Sequence, residues 1–366
     1  MKKIIIGLFC GVFINSLLGC VVDINQPVST PLILETMQSE TLPTLDPNST
    51  TVPVTWTDLH LSGRLAYSTA SNEGDAYTSK IQTLDLQTGE IKTIFSVAGS
   101  AWIYYVTVSP DAQQVIMSYA PTSDSSTGLY ILPLDENATP NLLLAAPTTH
   151  DRYTQVEWSS DGEFIYFVHY NFQDQPAGQI YPSYEIFRMF YPNGQPVKIL
   201  EHAVWLRSSA DSSRIVYVSF DPVSGFNQLF VANADGSNPQ VVVLDGPLAS
   251  EILDAPIFSP DGQAILFSAA SPAQARQLNW LERLMGVQIA SAHNVPSDWW
   301  SVPIAGGVPT RLTYLQTIKL FAGIAPDQKH IASLNADGIF VMDADGSNLT
   351  QLLNDPKVSS TLNWLP

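Results

Sequence analysis

The stretch Trp158-Ser159-Ser160-Asp161-Gly162, which leads into the apolar run Phe164-Ile165-Tyr166-Phe167-Val168, decides the fold because its pattern recurs along the chain. A turn that contains Asp, followed by an apolar strand, occurs five times, at Asp111, Asp161, Asp211, Asp261 and Asp327. The intervals between these positions are 50, 50, 50 and 66 residues. A repeat of about 50 residues is typical of the blades of a β-propeller.

Each repeat has room for four short strands. In the fourth repeat, two further apolar runs at 228–232 and 240–244 are joined by Asn233-Ala234-Asp235-Gly236-Ser237-Asn238, which has the composition of a hairpin turn. A similar turn, Asp343-Ala344-Asp345-Gly346-Ser347-Asn348, also resembles the start of a calcium loop, but Asn354 stands where such a loop needs a bidentate Glu. Both segments are therefore predicted to be hairpins, and no metal site is predicted.

The two ends of the repeat region complement each other. The first repeat starts at Gly63-Arg64-Leu65-Ala66-Tyr67, where a second strand is expected, and the segment 361–366 resembles an inner strand, with Trp364 at the place of Trp158. If the last strand joins the first repeat, the ring closes and leaves no long exposed edge. This predicts an all-β, six-bladed propeller of four-stranded antiparallel blades, in which Trp158 and Trp364 pack between blades.

The N-terminal residues have the features of an export signal. Lys2 and Lys3 precede an apolar run at 4–18 that is short for a membrane span. The following Leu17-Leu18-Gly19-Cys20 resembles the bacterial lipobox. That resemblance implies cleavage after Gly19 and lipid attachment at Cys20, and two or three acyl chains would give stable anchoring.

The expected organisation is a signal peptide at 1–19, a lipidated tether rich in Ser, Thr and Pro at 20–57, and a propeller at 58–366. The Val21 that follows the cysteine favours the outer membrane if the organism has one. The only cysteines are Cys10 and Cys20, so the mature chain has no internal disulfide.

The repeat turns also resemble those of a known family. The segments 158–162 and 258–262, together with Asp343-Ala344-Asp345-Gly346, are similar to the Trp-Ser-Pro-Asp-Gly and Asp-Ala-Asp-Gly turns of TolB-type propellers with WD-like repeats. The resemblance covers residues 59–366 and implies a fold; it gives little information on function, because functional sites vary on a shared fold.

Composition and motifs restrict the function. The formal charge is -18, which disfavours nucleic acid because binding to phosphates depends on Lys and Arg. The sequence has no G-x-S-x-G elbow, no H-E-x-x-H motif and no phosphate-binding Gly loop, and its six histidines are scattered. On these grounds the chain is predicted to be a non-enzymatic protein with no cofactor.

Candidate binding residues lie on the irregular connections between second and third strands and between blades, because loops on a rigid scaffold commonly carry binding sites. These candidates share a position near one end of the ring, and they are Tyr104, Arg152, Tyr153, Tyr170, Phe172, Tyr181, Trp299 and Trp300, with Asp254 near the channel mouth.

The 66-residue interval contains an insertion in the fifth blade. Ser271-Pro272 is a suitable helix start, and Leu278, Leu281 and Met285 recur at helical spacing. A helical insertion is therefore expected there, either as a lid on the propeller itself or as a partner-binding helix.

The resulting functional hypothesis is a membrane-tethered, extracytoplasmic binding or scaffold propeller whose partner is an unknown envelope protein, peptide or glycan. Two alternatives remain open. One is an enzyme that acts on glycans or peptides in the channel, where paired acids are expected. The other is an extracytoplasmic sensor or accessory subunit.

Overall fold

Alternating apolar residues between Ser, Asp and Gly turns form a series of short β-strands. The computed structural model describes residues 55–73, 76–123, 125–135, 138–173, 176–179, 182–246, 248, 253–270, 295–355 and 357–366. A single 3₁₀ turn, Trp56–Leu59, precedes the first strand.

The strands form six sheets of four strands each. The first three blades contain β1 (Arg64–Glu73), β2 (Ala76–Asp85), β3 (Ile91–Ala98), β4 (Trp102–Val108), β5 (Gln114–Ala120), β6 (Gly128–Pro133), β7 (Asn141–Leu144), β8 (Asp151–Trp158), β9 (Phe164–Asn171), β10 (Glu185–Phe190) and β11 (Val197–Glu201). The remaining strands are β12 (Ala203–Ser208), β13 (Arg214–Phe220), β14 (Asn227–Asn233), β15 (Gln240–Val242), β16 (Leu253–Phe258), β17 (Ala264–Ala270), β18 (Ser297–Pro303), β19 (Thr310–Arg311), β20 (Phe321–Ile324), β21 (His330–Asn335), β22 (Gly338–Asp343), β23 (Thr350–Leu353) and β24 (Val358–Leu365).

The last strand completes the first blade, as the sequence predicted. β24 pairs antiparallel with β1, with Leu65 opposite Trp364 and Tyr67 opposite Leu362, so the first sheet has the order β24-β1-β2-β3. The inner strands β4, β8, β12, β16, β20 and β24 contact one another in sequence around a central channel. Gly63 allows the closest approach at this junction, because a Cβ at its φ of +87° would lie 2.1 Å from the Leu365 carbonyl oxygen.

The hydrophobic core consists of layers between adjacent blades. One layer joins Leu65 and Leu84 of the first blade to Leu334 and Ile339 of the sixth, and Trp364 packs within it. Trp158 lies in a second layer, between the second and third blades, and is also buried. The predicted packing role of both tryptophans is therefore confirmed.

Most inner strands contain a bulge at the same repeat position. The residues six positions before the turn Asp, Gln155, Trp205 and Ala255, have φ values of 47°, 60° and 46°, and Thr361 of β24 has 50° at the equivalent place. The strand pairing shifts beside the first three bulges and near the fourth. A bulge bends the strand and redirects its side chains, here at the channel wall.

The helical insertion predicted for the fifth blade falls on residues 271–294, which lie outside the described residues, and the structure gives it no support. These residues follow β17 and precede β18, so the extra length does belong to a connection between second and third strands. No helix among the described residues has the length and apolarity needed to cross a membrane.

Candidate functional site

The two ends of the propeller carry different connections. Every inner strand runs from the end with the irregular connections, called the loop face here, towards the end with the Asp turns, called the turn face. Residues at the start of β4, β8 and β16 therefore lie on the loop face, whereas the ends of those strands lie on the turn face.

An aromatic ladder lies on the loop face of the first two blades. Tyr77, near the start of β2, stacks on Trp102 with ring centroids 4.0 Å apart, and Trp102 stacks on Tyr104 at 6.4 Å. Trp102 and Tyr104 are each 37% exposed. The hydroxyl of Ser360 in β24 donates a hydrogen bond to the backbone carbonyl of Tyr104 in β4, which links these two inner strands. These aromatic rings are positioned by the sheet and are accessible to solvent.

Further aromatic residues lie on the loop face of the third and fourth blades. Tyr170 packs on Tyr184 at 4.9 Å, and Tyr184 contacts the edge of Phe220 at 5.7 Å. Burial raises the pKa of Tyr170; the positive charge of Arg152 opposes this rise, and the nearby phenol of Tyr104 adds to it.

A cavity of about 200 Å³ opens on the same face, lined in part by Tyr184, Trp205, Phe220 and Asp254. Asp254 is buried and lies near the channel mouth, where the sequence placed it. Burial raises the pKa of Tyr105 below this cavity; a hydrogen bond with Gln155 opposes the rise, and the charge of Asp254 adds to it. The cavity therefore combines aromatic walls with a carboxylate.

Other predicted residues occupy different environments. Arg152 donates hydrogen bonds to the carbonyls of Thr149 and Asp151, and its guanidinium lies 4.8 Å from the ring centre of the exposed Phe172. Tyr153 is buried against Phe167, with ring centroids 4.8 Å apart. Tyr181 lies outside the described residues.

The prediction that Trp299 and Trp300 lie on an exposed loop is wrong. Both belong to β18, and they are 0% and 8% exposed. The indole nitrogen of Trp299 donates a hydrogen bond of 2.8 Å to Ser333 of the sixth blade, whereas Trp300 packs in the layer towards the fourth. Alternation along a strand sends neighbouring side chains to opposite faces, so two adjacent tryptophans fill two different inter-blade layers.

An aromatic plug of Tyr105, Trp205 and Phe321 narrows the channel at mid-height. Their ring centroids are 5.8 to 6.4 Å apart, in edge-to-face arrangements. The void that they border measures about 20 Å³, which is room for about one water molecule. The two mouths of the channel are therefore separate pockets.

The pocket on the turn face is the larger of the two, with a volume of about 400 Å³. Its wall includes the residues four positions before each turn Asp and the matching residue of β24, a set called the channel ring here: Thr107, Glu157, Arg207, Ile257, Gly323 and Asn363. Glu157 and Arg207 form an ion pair of 2.6 Å between Oε2 and a guanidinium nitrogen, with side chains 15% and 21% exposed. Burial raises the pKa of Glu157, and the charge of Arg207 opposes that rise.

The sequence did not predict this pocket, because binding residues were expected on the irregular connections at the other end of the ring. A signal was present in the repeats. Aligning the turn Asp residues places Glu157 and Arg207 at one repeat position, where the other blades have uncharged residues. Of the described residues that line the pocket, Glu157 alone has a side-chain carboxylate, so the paired acids of a glycosidase are not formed there.

The Asp343–Asn348 segment is a hairpin turn, as predicted. The Gly346 amide donates to the Asp343 carbonyl at 2.9 Å, and the Asn348 side-chain amide donates to the Asp343 carboxylate at 2.6 Å. Within the described ranges, no group of three or more His, Cys, Asp or Glu side chains is arranged to hold a metal ion.

Comparison with known proteins finds similarity in structure. No family model matches the chain, and no curated protein sequence matches it. A protein described as TolB from Agrobacterium tumefaciens has a TM-score of 0.54 and 15% identity, over 84% of this chain and 100% of that one. Hydrazine synthase of Kuenenia stuttgartiensis has a TM-score of 0.57 and 12% identity, over 85% of this chain and 49% of that one. An oligogalacturonate lyase of Vibrio parahaemolyticus has a TM-score of 0.47 and 10% identity, over 81% of this chain and 90% of that one.

The chain thus has the fold of a TolB-like six-bladed β-propeller. This fold occurs in enzymes as well as in other proteins, as the hydrazine synthase shows. The prediction that the chain is not an enzyme is therefore corrected, because the lack of short catalytic motifs does not exclude catalysis on such a scaffold. The residues that line a propeller channel come from strands about 50 residues apart, so a short sequence motif cannot reveal a catalytic group formed by them.

Proposed function

We propose that this chain is a lipid-anchored, extracytoplasmic propeller that binds a protein, peptide or glycan ligand on its loop face. The observation that carries the proposal is the ladder of Tyr77, Trp102 and Tyr104, with Trp102 and Tyr104 exposed, on the face that also carries a cavity with aromatic walls. Large aromatic side chains supply much of the binding energy of interfaces, because they bury a large area with few rotatable bonds.

The position of the ladder supports a binding role. Trp102 and Tyr104 lie at the start of an inner strand, and both remain more than one-third exposed although the neighbouring strand residues Ile103 and Val106 are buried. Clustered exposed aromatic surface on an otherwise well-packed protein marks a contact site. The cavity on the same face would accept a side chain or a sugar ring.

The lipid anchor is the part of the proposal that concerns location. It rests on the lipobox at Leu17-Leu18-Gly19-Cys20 and the polar segment that follows, all of which lie outside the described residues. A tether of about 38 residues, 20–57, would hold the propeller away from the membrane surface. The loop face would then be free to bind ligands in the envelope.

The double variant Trp102→Ala/Tyr104→Ala tests the loop-face site. The lipidated protein is used to capture ligands from its own envelope fraction and from a glycan array, and each ligand captured by the unmodified protein is then measured on the variant. Loss of two central aromatic contacts is expected to weaken binding by about 30-fold or more, since such truncations cost about 2 kcal/mol or more at interface centres.

The matched control is Phe190→Ala. Phe190 is 53% exposed and lies at the end of β10, on the turn face. Its substitution is expected to leave capture unchanged. Equal capture by the double variant and the unmodified protein would contradict the loop-face site.

A second measurement tests the anchor. The Cys20→Ala protein is expected to leave washed membranes, because the acyl chains that retain it are no longer attached. Retention in full on washed membranes would show that Cys20 does not anchor the chain.

A further inference from the structure

We propose that the turn-face pocket binds a free α-amino acid with an apolar side chain, whose ammonium group contacts Glu157 and whose carboxylate contacts Arg207. The pocket is separated from the loop face by the aromatic plug of Tyr105, Trp205 and Phe321. The inference therefore does not depend on the proposed function.

The two charges are not needed to join neighbouring blades. Thr107 and Asn363, at the same repeat position, hold the adjacent inner strand through its backbone: the Thr107 hydroxyl accepts from the Trp158 amide at 3.4 Å, and the Asn363 side chain bonds to Val106 and Val108. Ile257 and Gly323 show that the ring also tolerates side chains without charge. Glu157 and Arg207 bond to each other, and the pair remains partly open to the pocket.

Both partners retain bonding capacity. The bond from Arg207 to Glu157 uses one guanidinium N–H and one carboxylate oxygen, and within the described part of the chain neither side chain makes another hydrogen bond. Arg207 can still present several donors, and Glu157 can still present its second oxygen. A group that offers one acceptor and one donor side by side would satisfy both.

The spacing and the charge balance select a zwitterion. A ligand with a single charge would leave an uncompensated charge at this partly buried pair, which is unfavourable. In an α-amino acid, standard bond lengths place the ammonium nitrogen about 3 Å from a carboxylate oxygen. This matches the 2.6 Å between the two partners of the pair, so ligand and pair can align in opposite directions with each charge next to its opposite.

The rest of the pocket suits an apolar side chain. Ile257 follows Arg207 around the channel ring, Gly323 lies across the ring from Glu157, and the partly exposed Ile324 belongs to the same wall. A volume of about 400 Å³ falls within the range of small-molecule sites. An amino acid such as leucine would place its side chain against Ile257 and in the space left open at Gly323.

Isothermal titration of the mature chain with L-leucine tests the inference. We expect saturable binding with a Kd of about 1 mM or tighter, as the number of ligand atoms allows. Leucinamide, which lacks the carboxylate, and N-acetyl-leucine, which lacks the ammonium, are each expected to bind about 10-fold or more weakly, because each loses charge-assisted hydrogen bonds. No saturable binding of leucine up to about 10 mM, or equal binding of both analogues, would overturn the proposal.

Two variants locate the site. Glu157→Gln/Arg207→Gln removes both charges together, so no single charge is left unpaired, and it is expected to weaken leucine binding about 10-fold or more. Tyr104→Ala, on the loop face, is expected to bind leucine normally. Unchanged binding by the first variant, or loss of binding by the second, would place the ligand elsewhere; if the first variant does not fold, the analogue series decides.

Discussion

At the scale of single residues, the repeat is maintained by one polar arrangement at the start of each turn. Ser209 donates its hydroxyl to the Asp211 carboxylate at 2.6 Å, and the same oxygen of Ser209 accepts from the Arg214 amide at 3.0 Å. Equivalent bonds form from Ser109, Ser159 and Ser259. In the sixth blade Ala325 replaces the Ser, and Asp327 bonds instead to His330 at 2.7 Å. These bonds explain why an Asp recurs at the same place in each of these turns.

The ionised carboxylates of the turn Asp residues make the stability of the fold depend on pH under acidic conditions. Hydrogen bonds from Ser209 and from the amide and hydroxyl of Ser213 lower the pKa of Asp211 from 3.8 to about 2. Because the folded-state pKa is depressed, the stabilisation is present above the ordinary pKa and is lost as the pH falls towards 2. In urea unfolding, the difference in stability between the unmodified protein and Asp211→Asn is expected to shrink between about pH 5 and pH 2. A difference that does not change with pH would contradict this role of Asp211.

Left-handed backbone after the turn Asp provides a second test at this scale. Ala112 has a φ of 55°, where the third and fifth blades have Gly162 and Gly262. An L-residue in this conformation is disfavoured by about 1–2 kcal/mol, partly offset by the greater chain entropy of Gly when unfolded. Ala112→Gly is expected to raise the free energy of unfolding by up to about 1 kcal/mol. The reverse change, Gly162→Ala, is expected to lower it through the strain of the left-handed backbone at a φ of +76°, since the added Cβ meets only an ordinary contact of 3.7 Å with Pro110. A lower melting temperature for Ala112→Gly, or a higher one for Gly162→Ala, would contradict backbone strain at this turn position.

At the scale of elements, the sequence predicted what is local and repeated. The turns, the strand order and the closing strand followed from residues that recur at equivalent positions of the repeat, such as Trp158 and Trp364. The bulges at Gln155 and Trp205 were not predicted, because nothing in a non-glycine side chain signals a positive φ. Trp299 and Trp300 were misplaced because the start of β18 at Ser297 follows an insertion with no repeat pattern to align. The Glu157–Arg207 pair was not predicted, because its members are 50 positions apart in the chain and meet only where the inner strands of two consecutive blades pack together.

The closing strand carries the largest expected effect on stability. Deleting residues 362–366 exposes the edge of β1 and removes Leu362, Trp364 and Leu365, which are 1%, 9% and 4% exposed. The loss is expected to be several kcal/mol, by analogy with large-to-small substitutions in cores. Thermal unfolding of the truncated chain measures it. Deleting Pro366 alone, which is exposed and follows the strand, is the control and should change the melting temperature little. An unchanged melting temperature after deletion of 362–366 would refute the shared blade.

At the scale of the whole molecule, a closed ring with a plugged channel divides the protein into two chemically distinct ends. The loop face offers exposed aromatic rings and a small cavity with a carboxylate, whereas the turn face offers a larger pocket with an ion pair in its wall. Because all six inner strands contact their neighbours, the blades hold both ends rigid, and little binding energy is needed to order either site. Ligands at the two ends should therefore bind independently.

Site-specific photo-crosslinking in the native envelope tests the central claim most directly. A benzophenone amino acid is placed at Tyr104 of the loop face or, in a matched protein, at Phe190 of the turn face, and crosslinked species are identified after irradiation. Both residues are exposed aromatics, at 37% and 53%. We predict a discrete crosslinked ligand from position 104 that is absent from position 190 and is lost when Trp102→Ala is added. The same crosslinked ligand from both positions, or from position 190 alone, would contradict ligand binding on the loop face.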